Sequence, residues 1–193
     1  MPARKVEEEV LLNGLTRIFQ DHGFEGASLS RISDATGLEK ASLYHRFRGG
    51  KEEMAQAVLQ RAGRKFADDV LKPLFEDGPL EARVKEAGKR IATFYENGQR
   101  SCLLDTLSFS DGGEKVRSTA RTAYEGWRDA FAHAARESGW TPAASSKRAQ
   151  HAIIVLEGSL VISRVTGDAK PFQDAIRSLP EMLLKPLPAG DEA

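Results

Sequence analysis

Apolar residues recur at helical spacing along nearly the whole chain, and no alternating apolar-polar runs bounded by turn signals interrupt them. The pattern predicts an all-α protein. A first apolar-periodic segment closes at Gly23, which fits the left-handed position that ends a helix, and Ser28 can accept the orphan N–H groups that open the next one. Leu29, Ile32 and Ala35 then repeat at helical spacing, so a short second helix should bury that face until Gly37 breaks it. A third helix is predicted over about 39–47. If Leu43 and Phe47, at i and i+4, face inward, Ala41 and His45 lie opposite, flanked by Ser42 and Tyr44. Further along, the pattern predicts a long helix over about 51–71 that stops before Pro73, and a turn at Asp77-Gly78-Pro79. Helices follow over about 80–96, 103–109, 114–138, 144–165 and 172–184, with Gly139, Gly167 and Pro171 as separators.

The outward face of the third helix is small, polar and rich in hydrogen-bond donors. Small side chains let a helix approach base edges in the major groove, and hydroxyl or imidazole groups can contact bases or phosphates. Arg46, Arg48 and Lys51 sit where they can meet the sugar-phosphate backbone. Gly49 and Gly50 let the chain come close to a phosphate just where Lys51 opens the fourth helix, whose N-terminal amides favour anions. The bland alternative is a solvated helical hairpin with an ordinary glycine loop. Charge narrows the choice: the 193-residue chain is formally neutral, which argues against a broad polyanion binder, but residues 31–51 carry five basic side chains against Asp34 and Glu39.

Residues 24–51, with Ser28 at a helix start, Ile32, Gly37, Leu43-Tyr44-His45, Phe47 and Lys51-Glu52-Glu53, resemble the N-terminal domain of the TetR family of bacterial transcriptional regulators. Leu11, Ile18, Phe19 and Gly23-Phe24 match that family's first helix, and the Gly49-Gly50-Lys51-Glu52-Glu53 run is similar to the branch associated with drug and flavonoid response. The resemblance implies a three-helix helix-turn-helix domain over 1–50 and a helical ligand-binding and dimerisation domain over 51–186, and the proline-rich, polar end of the chain predicts a flexible tail over 187–193. The resemblance also implies a DNA-binding set of Ser28, Lys40, Ala41, Ser42, Tyr44, His45 and Lys51, in which Tyr44, His45 and Lys51 contact phosphates and Lys40, Ala41 and Ser42 lie near bases. Two residues depart from the family pattern: Glu39 stands where a small hydroxyl cap is usual, and Arg46 replaces a common aromatic. An acid at that position can accept from a cytosine amino group, cap the helix or repel a phosphate.

The helix predicted over 144–165 is apolar around nearly its whole circumference, and such a helix must be buried on all sides. Either it lies at the centre of a monomer or a second subunit covers one face. The resemblance implies the second arrangement, a homodimer paired through Ile153, Leu156, Leu160 and Val161, reading a palindromic operator in double-stranded DNA as a repressor. It further implies release by a small, often apolar effector whose binding moves the linking helix. Candidate pocket residues are Phe66, Val70, Ile91, Phe94, Tyr95, Leu103, Leu107, Phe109, Trp127 and Phe131, although aromatic residues at helical spacing are more often plain core.

The single cysteine, Cys102, cannot form an internal disulfide and reads as a small buried apolar residue more readily than as a redox sensor near Arg100. Catalysis finds weak support: Cys102 with His133 or His151 lacks an oxyanion turn, and Asp129 with His133 lacks a third metal ligand. No cofactor or metal is implied. A helical ligand-binding or adaptor protein with a degenerate DNA reader is the alternative function. The N-terminus lacks a signal-peptide core and the most apolar run, 152–165, carries Glu157 and Arg164, so the sequence predicts a cytoplasmic protein with no membrane span.

Overall fold

A computed structural model describes residues 7–108 and 113–185, and every regular element among them is helical. The α-helices are α1 (Glu8–Gly26), α2 (Leu29–Thr36), α3 (Lys40–Arg46), α4 (Gly50–Lys65), α5 (Leu80–Phe94), α6 (Leu103–Ser108), α7 (Gly113–Glu137), α8 (Pro142–Thr166), α9 (Lys170–Arg177) and α10 (Leu179–Leu183). They pack into two compact units. One holds the chain through Lys65 together with Ser101–Tyr124, and the other holds Phe66–Arg100 together with the chain from Glu125. The tail predicted over 187–193 lies outside the described residues, as does Phe109.

The core of the first unit is built on Leu11, Leu15 and Phe19 of α1, Ile32 of α2, Leu43 of α3, and Met54 and Val58 of α4. Leu103 and Leu107 of α6 and Val116 of α7 complete it. Gln20 ties α1 to the same segment, its side-chain amide donating to the Ser101 carbonyl at 2.8 Å. The second helix turns a different edge to this core than its apolar spacing suggests: Ile32 and Thr36 are buried, whereas Ala35 is exposed. Thr36 can be buried because its hydroxyl donates to the Ile32 carbonyl at 2.7 Å, so no donor is left unpaired.

Gly14 sets how closely α1 and α2 approach. A Cβ there would lie 2.9 Å from the Ala35 carbonyl oxygen and 3.2 Å from Thr36 Cγ2. In a free helix Ala is favoured over Gly by about 1 kcal/mol, but here the contact is with backbone that cannot rotate away. Gly14→Ala is therefore expected to destabilise the protein by about 1–2 kcal/mol and to lower DNA affinity with it. A thermal melt unchanged or raised by the substitution would show that the two helices can separate at no cost.

In the second unit two prolines shape the winding. The helix predicted over 51–71 is α-helical only to Lys65; Phe66–Leu71 then form a π-helical turn that buries Phe66, Val70 and Leu71, and Lys72–Phe75 continue as a 3-10 turn. Pro73 does not stop the chain at Leu71, because it occupies the first turn of the 3-10 segment, where a missing N–H costs nothing. Pro180 likewise opens α10, and the helix predicted over 172–184 divides at Ser178 into α9 and α10. Arg83 of α5, buried, clamps this unit: its guanidinium donates to the Leu74 and Glu76 carbonyls at 3.1 and 2.7 Å and pairs with the Glu137 carboxylate of α7. That hydrogen bond holds the Glu137 carboxyl below the usual carboxylate range.

On α8, Ala149, Ala152, Ile153, Leu156, Leu160 and Ser163 are buried by their own chain, chiefly under α9 and α10. Of the four residues assigned to a subunit interface, Ile153, Leu156 and Leu160 thus serve the monomer's own core, and Val161 alone keeps exposed surface. The remaining apolar face is a different stripe: Ile154, Val161, Ile162 and Val165 are 60, 37, 50 and 78% exposed in the single chain. Gly158 lies within this stripe with open space around it.

Candidate nucleic-acid interface

Helices α2 and α3 form the helix-turn-helix, and local bonds fix its turn. Ser28 caps α2 by accepting from the Arg31 amide at 3.3 Å. Gly37 adopts the left-handed conformation (φ 68°) that closes α2, and the Ser33 hydroxyl donates across the turn to the Leu38 carbonyl at 2.6 Å. With Leu43 fully buried and Phe47 half-buried, α3 is oriented so that Lys40, Ala41, Tyr44 and His45 are exposed and Ser42 is half-buried.

Two of these side chains are held in place. Gly50, at φ 65°, passes under the Tyr44 ring, whose Cε1 is 3.4 Å from where a Cβ would stand. The ring is packed on one side and still 47% exposed, which leaves its hydroxyl able to reach outward. The Lys51 ammonium sits 4.4 Å from the centroid of the Phe24 ring, so a cation–π contact restrains a side chain that would otherwise be freely mobile. Just before α4, the Gly49 amide donates to the Glu53 carboxylate at 2.7 Å, which ties the glycine loop to the first turn of that helix. Arg31, counted in the basic excess, is also engaged, donating to the Gly26 carbonyl at 2.8 Å.

Residues 11–58 match the family profile described as "Bacterial regulatory proteins, tetR family", and residues 79–178 match "Transcriptional regulator LmrA/YxaF-like, C-terminal domain". The chain belongs to the TetR family of bacterial transcriptional regulators. It is 24% identical to the HTH-type transcriptional regulator LmrA of Bacillus subtilis over 179 residues, 91% of this chain and 95% of that protein. It is 35% identical to the HTH-type transcriptional repressor AcnR of Corynebacterium efficiens over 128 residues, 60% of this chain and 65% of that one. Among solved structures, a TetR transcriptional regulator from Legionella pneumophila superposes with a TM-score of 0.82 at 20% identity, covering 91% of this chain and 96% of that one. The reduced form of Escherichia coli NemR superposes with a TM-score of 0.75 at 22% identity, covering 93 and 98%. This TetR-family protein is a DNA-binding transcriptional regulator, as the names of its relatives indicate for them.

The regulator's expected pocket residues divide. Leu103 and Leu107 belong instead to the core of the first unit. Phe66, Val70, Ile91, Phe94, Tyr95, Trp127 and Phe131 lie in the second unit, where the aromatic rings meet edge to face: Phe66 to Trp127 at 4.9 Å, Phe66 to Phe94 at 5.2 Å and Trp127 to Phe131 at 5.8 Å. Phe172 of α9, absent from the residues expected from the sequence, joins them through Tyr95 at 6.1 Å. The Trp127 indole N–H is buried there with no acceptor among the described residues. Elsewhere, Cys102 is buried, its sulfur accepting from the Leu104 amide at 3.4 Å. His133 stacks on Phe75, and Asp129 pairs with Arg128. No described helix is long and apolar enough to cross a membrane.

Proposed function

We propose that the regulator binds a palindromic operator as a homodimer in the cytoplasm, represses transcription there, and is released by a small apolar or aromatic effector held in its second unit. The observation that carries this reading is the exposed face of α3 with the adjoining start of α4, where Tyr44 and Lys51 are each restrained by a packed neighbour, Gly50 and Phe24 respectively. Restraint before binding lowers the entropy lost when a side chain meets a phosphate. The apolar stripe of α8 supports pairing, since a second copy would cover it, and a helix-turn-helix dimer reads two half-sites about 34 Å apart, one helical turn of DNA. The aromatic cluster around an unsatisfied Trp127 N–H supports an effector that carries a hydrogen-bond acceptor. Such a molecule weakens DNA binding only as far as it prefers the DNA-free state.

Lys51→Ala tests the phosphate contacts. Removing one ammonium–phosphate pairing from each reader should make the slope of log affinity against log salt shallower by about two, and affinity should fall for all sequences alike. Tyr44→Phe should weaken binding while leaving the salt slope in place. An unchanged slope for Lys51→Ala removes that side chain from the backbone contacts.

A further inference from the structure

Glu39 is the N-cap residue of α3 by its backbone (φ −65°, ψ 152°), yet its carboxylate makes no capping hydrogen bond. The contrast with Ser28, which caps α2 through its side chain, is direct. Glu39 is exposed, and among the described residues its side chain takes part in no hydrogen bond or ion pair. Of the three roles an acid can play at this place, capping is thereby removed, and repelling a phosphate or accepting from a base remains.

Position separates these two. The N-terminal residues of a helix laid in the major groove face base edges, while phosphates are met by groups on the flanks. Glu39 immediately precedes Lys40, Ala41 and Ser42, and Ala41 is exposed and small, so the backbone at this end of α3 can come close to the groove floor. Tyr44 and Lys51, the side chains restrained for phosphates, belong to the other end of α3 and to α4. A carboxylate in the groove needs a donor. Cytosine offers its N4 amino group; guanine and thymine present acceptors at the corresponding edge, and adenine sets its N7 acceptor beside its amino donor.

We infer that Glu39 is a specificity-determining residue, selecting cytosine at one position in each half of the DNA site. The inference rests on α3 being the DNA-reading helix. Its carboxylate accepts from the N4 amino group, and replacing that cytosine weakens binding by roughly tenfold per half-site.

The test is selection from random duplex by the full-length protein, its Glu39→Ala and its Glu39→Gln variants, followed by affinity and salt dependence on the selected sites. Glu39 makes no side-chain bond, so both variants should keep the parent's circular dichroism and thermal midpoint. Glu39→Ala is expected to lose base preference at one position of each half-site and keep it at all others. Glu39→Gln is expected to change that position from cytosine to adenine, because an amide can both donate to N7 and accept from the N6 amino group. Selection profiles identical for parent and Glu39→Ala overturn the inference. So does tighter binding of Glu39→Ala to all sequences with a steeper salt slope, the signature of a carboxylate that merely opposes phosphates. A parent protein that selects no sequence at all overturns the DNA-reading function first and this inference with it.

Discussion

Ile162→Arg should leave the regulator folded but monomeric, and its operator affinity should collapse. Ile162 is half-exposed in the single chain, so a charged side chain there costs the isolated subunit little. It lies on the stripe formed with Ile154, Val161 and Val165, and a partner covering that stripe would strip the guanidinium of water. An unpaired charge buried in this way costs about 3–5 kcal/mol, or roughly two to four powers of ten in the dimerisation constant. Sedimentation at micromolar concentration should show monomer, with a helical circular dichroism spectrum unchanged. Leu160→Arg is the informative contrast. Two residues away on the same helix, Leu160 is 1% exposed and packed within its own chain, so this substitution should unfold the protein rather than separate subunits. An Ile162→Arg protein that stays dimeric would place the subunit contact on another face.

Phe172→Ala carries the second large effect. The ring is fully buried, meets Tyr95 at 6.1 Å and closes over Gly98, where an added Cβ would stand 3.1 Å from Phe172 Cβ. The Phe172 amide also donates to the Ser163 hydroxyl at 3.2 Å, which fixes the start of α9 against α8. Removing the ring leaves a cavity that backbone at Gly98 cannot fill, and such truncations cost about 3–5 kcal/mol, a large share of the stability of about 5–15 kcal/mol typical of a domain. At about 2–4 °C per kcal/mol, the thermal midpoint should drop by roughly 10 °C, and Phe172→Leu should recover most of it. A drop of less than about 3 °C for the alanine variant would mean that α9 is not held by this ring. Because α9 covers the inner face of α8, the same truncation should loosen subunit pairing as well.

The two substitutions on α8 show where reading along the chain reaches its limit. Its apolar residues encircle the helix, so periodicity alone marks no inner side, and Ile153, Leu156 and Leu160 suit a subunit contact as well as Ile154, Ile162 and Val165 do. Only the docking of α9 and α10 against one side distinguishes the core set from the exposed set. The reader is far more legible. Its turns depend on neighbours within four or five residues: Ser28 bonding to Arg31, Ser33 to Leu38, and Gly37 in a conformation other residues avoid.

By itself the amino-acid order determined the helical class, the helix-turn-helix with its outward Lys40, Ala41, Tyr44 and His45, and the helix ends at Gly37, Gly139 and Gly167. All of these rest on bonds and torsions closed within a turn or two. Tertiary structure decided that α6 delivers Leu103 and Leu107 to the N-terminal core, that Phe172 joins the aromatic cluster, that Gly14 seats α2, and that the Glu39 side chain does not cap α3. Those outcomes depend on which helix comes alongside which. Hydrophobic spacing says that a face must be covered, and only the folded chain says by what.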